Sequence, residues 1–576
     1  MSRINMSERV WHAFPPMTIP TPILALAPAE DGLRAAGMGG IARLRDDETW
    51  QLQIASLPLR SLTALAWADG LLLAGGIGGL ARSTDRGHSW RLATVEEPFA
   101  SITAFAVSPQ FSREQTILAA TVNSGIMRSE DGGQKWLTAN SGLQTFEINA
   151  LLWNEGERVL AGTADGMYRS TNGGRAWHLV RGTEGLVVVA LAILPDGTLV
   201  AAPEEGEMLA STDGGAHWEA HGELPADVSC SSLWTTPQGT LLLSSSEQGL
   251  LRSTSTGREW VQVLDDLVLS CVVAGTRPYA GTTTGVSVSD DDGQSWHALP
   301  TPPLGDVQHL HLLGEQLLCS GAQAGLLRVE QDSWQPVDSL PSTLTSVFAQ
   351  QQALFVASAQ GLQRSDDGGH NWQTVIAGED GNVSHLTLRA DGHGWAGCGD
   401  EARLLRSRDG GMHWQALAAP FGVLSLIGLQ AMSNLVVAAT YDAHLLSGQI
   451  WVSSDEGEHW QRVIDVQPLL SPIIFHDTPP LIALSNRILF PSSLHADRWR
   501  ATSLDEQKHG QIRRVIGKPH LLLMLTTIGL FYSVDSGINW TRVDLGLPLE
   551  EVWDVALTDD TLYILLAGGR VRSCQI

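Results

Sequence analysis

The chain has 576 residues, of which 62 are acidic and 36 basic, for a net charge of −26. A field of that sign repels phosphate backbones and anionic lipid, which excludes nucleic acid and membrane surfaces as partners; the longest apolar run, LVVVALAIL from Leu186, is also far short of a bilayer span. The length predicts two domains, and five scattered cysteines (Cys230, Cys271, Cys319, Cys398, Cys574) behind an N-terminus without an apolar signal region lead to the expectation of reduced thiols in a cytoplasmic protein.

The first element, RVWHAF at 9–14, reads as a tryptophan-bearing strand with nothing before it. RDDETW follows, ending at Trp50, and from Ser83 onward one eight-residue phrase recurs. It reads STDRGHSW at Ser83, SEDGGQKW at Ser129, STNGGRAW at Ser170, STDGGAHW at Ser211, STSTGREW at Ser253 and SDDDGQSW at Ser289. It continues as SDDGGHNW at Ser365, SRDGGMHW at Ser407, SSDEGEHW at Ser453 and SVDSGINW at Ser533. With the fainter copies at Trp334 and Trp499, fourteen of the twenty tryptophans fall into step at gaps of 36 to 46 residues. A catalytic group is needed once; a joint that recurs in every module is architecture.

The phrase has the chemistry of a hairpin turn. A short acidic side chain accepts backbone N–H groups a few residues on, glycine supplies positive φ, the leading serine adds a local hydrogen bond, and the tryptophan opens the returning strand. The third position is Asp in eight copies (Asp85, Asp131, Asp213, Asp291, Asp367, Asp409, Asp455, Asp535), with Asn172 and Ser255 in the other two. It therefore needs a short polar group more than a charge. These eight aspartates are expected to be structural.

Ahead of each turn stand three apolar runs, such as LTALAW, LLLAGG and GLARS, too short and too closely punctuated for helices. Four short strands per unit of about 40 residues make the blade of a β-propeller. The last stretch, 551–574, supplies three strand-like runs without a tryptophan strand, so RVWHAF completes it. The expectation is an all-β chain of thirteen continuous blades and one split blade, folded as tandem seven-bladed β-propellers. The domains would be residues 1–16 as the strand completing the last blade, 17–300 as the first ring, and 301–576 as the second, with the proline-rich PTPPLG near the joint.

The pattern S-x-D-x-G-x-x-W is similar to the Asp-box, or BNR repeat, of sialidases, of xyloglucan-active glycoside hydrolases of family 74, of sortilin-type receptors and of a photosystem II assembly factor. The stretch from Ser108 to Trp136 resembles members of the WD40/YVTN/BNR-like superfamily. The resemblance to family 74 implies two seven-bladed rings forming a cleft, with a catalytic carboxylate in a first-blade element of the type T-D-x-G-G-A-Y-R. Here that stretch is AGMGGIAR at 36–43, and Gly37 stands where the carboxylate would be. The resemblance to sialidases implies an early Arg-Ile-Pro element; Thr18 takes the place of that arginine. Inverting glycosidases need two carboxyl groups across the scissile bond, so the loss of one removes the base that activates water.

Two local constellations could carry chemistry. Loops at GDEAR and TYDAHLLSGQ could bring Asp400, Glu401, Asp442 and His444 to one rim as a ligand site, weighed against two ordinary solvated loops. His309 and His311 alternate onto one strand face, read as a polar face toward a channel or solvent. No P-loop, dinucleotide fingerprint or C-x-x-C occurs in a supporting context, so neither cofactor nor metal is expected. The resulting expectation is a non-catalytic scaffold that binds a protein partner. The alternative is a glycoside hydrolase of family 74 type, with a carbohydrate as its ligand.

Overall fold

The computed structural model describes residues 10–14 and 21–576, apart from short internal segments, the longer of which are 54–58, 379–382, 399–402, 443–446, 467–473, 477–480, 492–498 and 546–551. Among the described residues the strands assemble into fourteen sheets, thirteen of four strands and one of five. Apart from a parallel fifth strand in one sheet and an outer strand supplied by the N-terminal segment in another, each sheet is an antiparallel meander, and we number these blades 1 to 14 along the chain. The chain divides into two compact units, Thr18–Asp306 and Val307–Ile576 together with Met1–Met17. Blades 1–7 lie in the former and blades 8–14 in the latter.

The sequence pattern within a blade follows from radial stacking. The second strand has a neighbouring blade on each face and is buried throughout, as in Leu71–Gly76, Ile117–Thr121 and Leu241–Ser245; hence its unbroken apolar run. The fourth strand lies at the rim and is mostly exposed, as in Lys135–Thr138 and Glu219–Glu223. The core is accordingly a series of layers between blades. One layer joins Leu71, Leu73 and Leu80 of blade 2 to Ile102, Ile117 and Trp136 of blade 3.

The innermost strand carries a β-bulge at a repeated register position, opposite the end of the second strand, in blades 2–7 and again in blades 10, 11, 13 and 14. The extra residue sharpens the local twist where seven strands converge. It also stitches blades together: Thr63 Oγ1 donates to the Ile102 carbonyl (2.6 Å), Thr103 Oγ1 to Ile148 (3.3 Å) and Asn149 Nδ2 to Val188 (3.3 Å).

The two rings close differently. In the first, blade 7 meets blade 1 through Ile23 N–H on the Thr282 carbonyl (2.9 Å), Ser270 Oγ on the Ile23 carbonyl (3.2 Å) and Trp50 Nε1 on the Pro300 carbonyl (2.7 Å). Gly281 permits this approach, since a Cβ there would lie 2.5 Å from Ser270 Oγ and 2.8 Å from Ile23. In the second, His12–Ala13 becomes the outer strand of blade 14, pairing antiparallel with Arg572 and Ser573. Phe14 then packs on Trp334 of blade 8 (6.0 Å between ring centroids) and Tyr563 of blade 14 (6.1 Å). Buried Asp554 of blade 14 completes the closure, accepting the Leu310 N–H at 2.8 Å and pairing with Arg514 of blade 13.

Three local features depart from the plain meander. Phe111–Glu114 and Glu506–His509 are single helical turns, too short to impose periodicity on the sequence; the first is stopped by Gln115 in the left-handed region (φ 51°). Blade 3 gains a fifth strand because Thr94–Val95, leaving blade 2, pairs in parallel with its outer strand. No helix among the described residues is long and apolar enough to cross a membrane.

Candidate functional site

The eight repeated aspartates all occupy the same fastened turn. The buried Ser Oγ accepts the glycine N–H four residues on at 2.8–3.0 Å in all ten copies. It donates to Oδ1 of the aspartate at 2.7–2.9 Å. That Oδ1 in turn accepts the N–H of the residue before the tryptophan, at 2.8–3.0 Å. Asn172 and Ser255 reproduce the contact through a neutral oxygen, so the turn requires an acceptor, not a carboxylate.

Hydrogen bonding holds these carboxyls below the ordinary range. Asp291 is lowered to about 2 by the Ser295 hydroxyl and backbone N–H and by Ser289. For Asp85 and Asp455, partial burial pushes upward but is outweighed by the turn's hydrogen bonds, again giving about 2. Groups held ionised and occupied in this way are poor general acids or bases at neutral pH.

A second set of residues escaped sequence reasoning. The arginine just before the turn serine reaches into the next blade and donates to the carbonyl between the aspartate and glycine of its turn. Arg82 donates to Gly132 (3.0 Å), Arg128 to Gly173 (2.8 Å), Arg169 to Gly214 (3.1 Å) and Arg252 to Asp292 (2.8 Å). Arg364 makes the same bond to Gly410. The signal was present in GLARS, GIMRS, GMYRS, GLLRS and GLQRS, but it does not reveal that the partner belongs to the following module.

Of the proposed rim cluster, Asp442 ends the second strand of blade 11, Leu435–Asp442, paired with Ser447. This hairpin runs eight residues where Ile117–Thr121 of blade 3 has five, so it extends the rim. Asp400, Glu401 and His444 lie outside the described residues, as does Thr18. Gly37 ends the second strand of blade 1, and a Cβ built on it would stand 2.7 Å from the Pro22 carbonyl oxygen. Any side chain there, a carboxylate included, would have to displace backbone.

His309 and His311 share one strand face with ring centroids 6.4 Å apart, while Leu310 between them is fully buried. His311 Nε2 lies 2.7 Å from Ser320 Oγ, and burial, with Arg514 and His309 nearby, pushes its pKa down to about 3. Among the described residues no group of three His, Cys, Asp or Glu side chains is placed to hold a metal ion. Burial pushes the Cys230 and Cys271 thiols up to about 12, away from nucleophilic use.

The first ring's centre is a cavity of about 370 Å³ walled by all seven innermost strands. Its polar side chains, Thr63, Thr103, Asn149, Ser232 and Ser270, are neutral, and four of them already serve as stitches between blades.

No family model matches this chain, and no curated protein matches it by sequence. Solved structures do match in fold. The family 74 xyloglucanase of Xanthomonas campestris aligns over 99% of this chain and 100% of its own, with a TM-score of 0.69 and 16% identity. The family 74 enzyme of Niastella koreensis aligns over 98% and 99%, with a TM-score of 0.67 and 15% identity. An ancestral family 74 enzyme aligns over 98% and 99%, with a TM-score of 0.56 and 14% identity. At such identities the likeness establishes architecture, not activity: the chain is a double β-propeller of the kind seen in family 74 glycoside hydrolases.

Proposed function

We propose that this chain is a non-catalytic double propeller that presents its blade rims to a protein partner. The observation that carries the reading is Gly37. In the first-blade element where the family 74 resemblance calls for a carboxylate there is no side chain, and the Pro22 carbonyl occupies the space one would need. General acid–base assistance contributes on the order of 10²- to 10⁴-fold, so a site missing one carboxyl group loses most of its rate. The repeated aspartates do not replace it, because the turn holds the Oδ1 of each in hydrogen bonds to its own serine and backbone.

The end-to-end likeness to family 74 enzymes favours a second reading, a glycoside hydrolase acting on a xyloglucan-like polysaccharide. In that case the missing carboxylate comes from another loop, and Asp400, Glu401 and Asp442 are the first to test. Purified protein incubated with xyloglucan and related β-glucans is expected to release no reducing ends above a boiled control, while affinity capture from the native organism retains a stable protein partner. Release that disappears in Asp400→Asn, Glu401→Gln or Asp442→Asn establishes the hydrolase instead.

A further inference from the structure

The two rings have different centres. In the first, the bulge residue of the innermost strand and the residue after it are uncharged: Thr63–Ala64, Thr103–Ala104, Asn149–Ala150 and Val189–Ala190. In the second, the same register positions hold Ser384–His385, Ile427–Gly428, Arg513–Arg514 and Trp553–Asp554. Positions that wall a neutral cavity in one ring therefore carry two adjacent arginines in the other.

Most of these groups are already occupied. Arg514 is paired with Asp554, whose carboxylate also accepts the Leu310 N–H and has His309 Nδ1 at 3.8 Å. The His385 ring contacts Ser384 Oγ (2.9 Å) and a backbone group of Ile427 in the next blade. Arg513 differs. Among the described residues it has no hydrogen-bond or ion-pair partner, although it remains accessible to solvent. Its pKa is lowered, with desolvation as the cause and no carboxylate set against it. An exposed cation at this register position, with no counter-charge among the described residues, leaves a local positive potential that an anion can neutralise.

We propose that the central channel of the second ring binds an oxyanion, the carboxylate or phosphate group of a small ligand, with Arg513 as the principal donor. The planar fork of arginine suits two-point recognition of either group. By register Arg513 is equivalent to Thr63, Thr103 and Asn149, which line the central cavity of the first ring. This site is independent of whether the rims bind protein or polysaccharide.

The test uses the full chain, with inorganic phosphate and succinate as separate probes against sodium chloride of matched ionic strength, read by thermal unfolding and calorimetric titration. At least one probe is expected to raise the melting temperature and to bind at a single site. Arg513→Met is expected to weaken that binding by about tenfold or more and Arg513→Lys to weaken it less, since a charge-assisted fork is stronger than a point charge. Without any probe, Arg513→Met is expected to melt no lower than the parent, because the exposed guanidinium has no hydrogen-bond or ion-pair partner to lose. A purely structural arginine would lower the melting temperature on removal, and that result overturns the proposal. So does an equal response of parent and Arg513→Met to the probes, or no response to either probe beyond the chloride control. A response to phosphate alone or succinate alone assigns the group.

Discussion

Asp131 and Arg169 mark the two ways in which one residue holds this repeat together. Asp131 Oδ1 accepts two backbone N–H groups, from Gln134 and Lys135, within its own turn. Arg169 donates to Gly214 of the following blade. Asp131→Ala is expected to cost about 1–2 kcal/mol and Arg169→Met a similar amount, each being the loss of a charge-assisted bond and the exposure of its partner. Urea unfolding measures both, and the double variant is expected to be additive because the two lie in different turns. Acid tests the aspartates collectively. Asp85, Asp291 and Asp455 titrate near 2 in the folded chain against an ordinary 3.8, so the folded state binds their protons less readily than the unfolded chain. Their contribution is complete above the ordinary value and is lost as pH falls through about 2. The urea midpoint is therefore expected to be flat from neutral to about pH 5 with respect to these groups and to fall steeply between about pH 4 and pH 2.

At the scale of the strand, the segment His12–Ala13 matters beyond its length. It covers the edge of Arg570–Gln575, brings Phe14 N–H to the Val571 carbonyl at 3.1 Å, and sets Trp11 against the layer between blades 13 and 14. Removing residues 1–16 exposes a strand edge and uncovers aromatic surface at once. The truncated chain is expected to melt lower in the transition belonging to blades 8–14 and to self-associate, with blades 1–7 unaffected. Differential scanning calorimetry with light scattering reads both. An unchanged thermogram would mean that the pairing contributes no net stability.

At the scale of the whole molecule, the two units close by different means and so differ in autonomy. Thr18–Asp306 contains every strand of blades 1–7 and both sides of its own closure, whereas Val307–Ile576 depends on a strand from the other end of the chain. Expressed alone, residues 18–306 are expected to fold as a monomer with a cooperative transition. Residues 307–576 alone are expected to do so only when a peptide carrying residues 9–14 is added. Circular dichroism with size-exclusion chromatography separates these outcomes.

Much of this was legible in the amino-acid order because a propeller is locally encoded. The serine–aspartate–glycine turn fastens itself within eight residues, the buried second strand declares itself as LLLAGG or ILAAT, and the tryptophan period counts the blades. The local chemistry of Ser129, Asp131 and Gly133 does not depend on distant partners, so spacing alone identified the turn. What only the tertiary structure decided is everything that crosses between blades. Arg169 precedes Ser170 in the sequence, yet its partner is Gly214, 45 residues on. The bulges place Thr63 and Arg513 at equivalent points of two ring centres, although nothing in the neighbouring residues distinguishes a channel wall from an ordinary strand. Gly37 read as a missing carboxylate; the approach of Pro22 showed that its site leaves no room for a side chain. Stacking, closure and the charge of a channel depend on which residues the ring brings opposite one another, and that is set by register between modules rather than by the pattern within one.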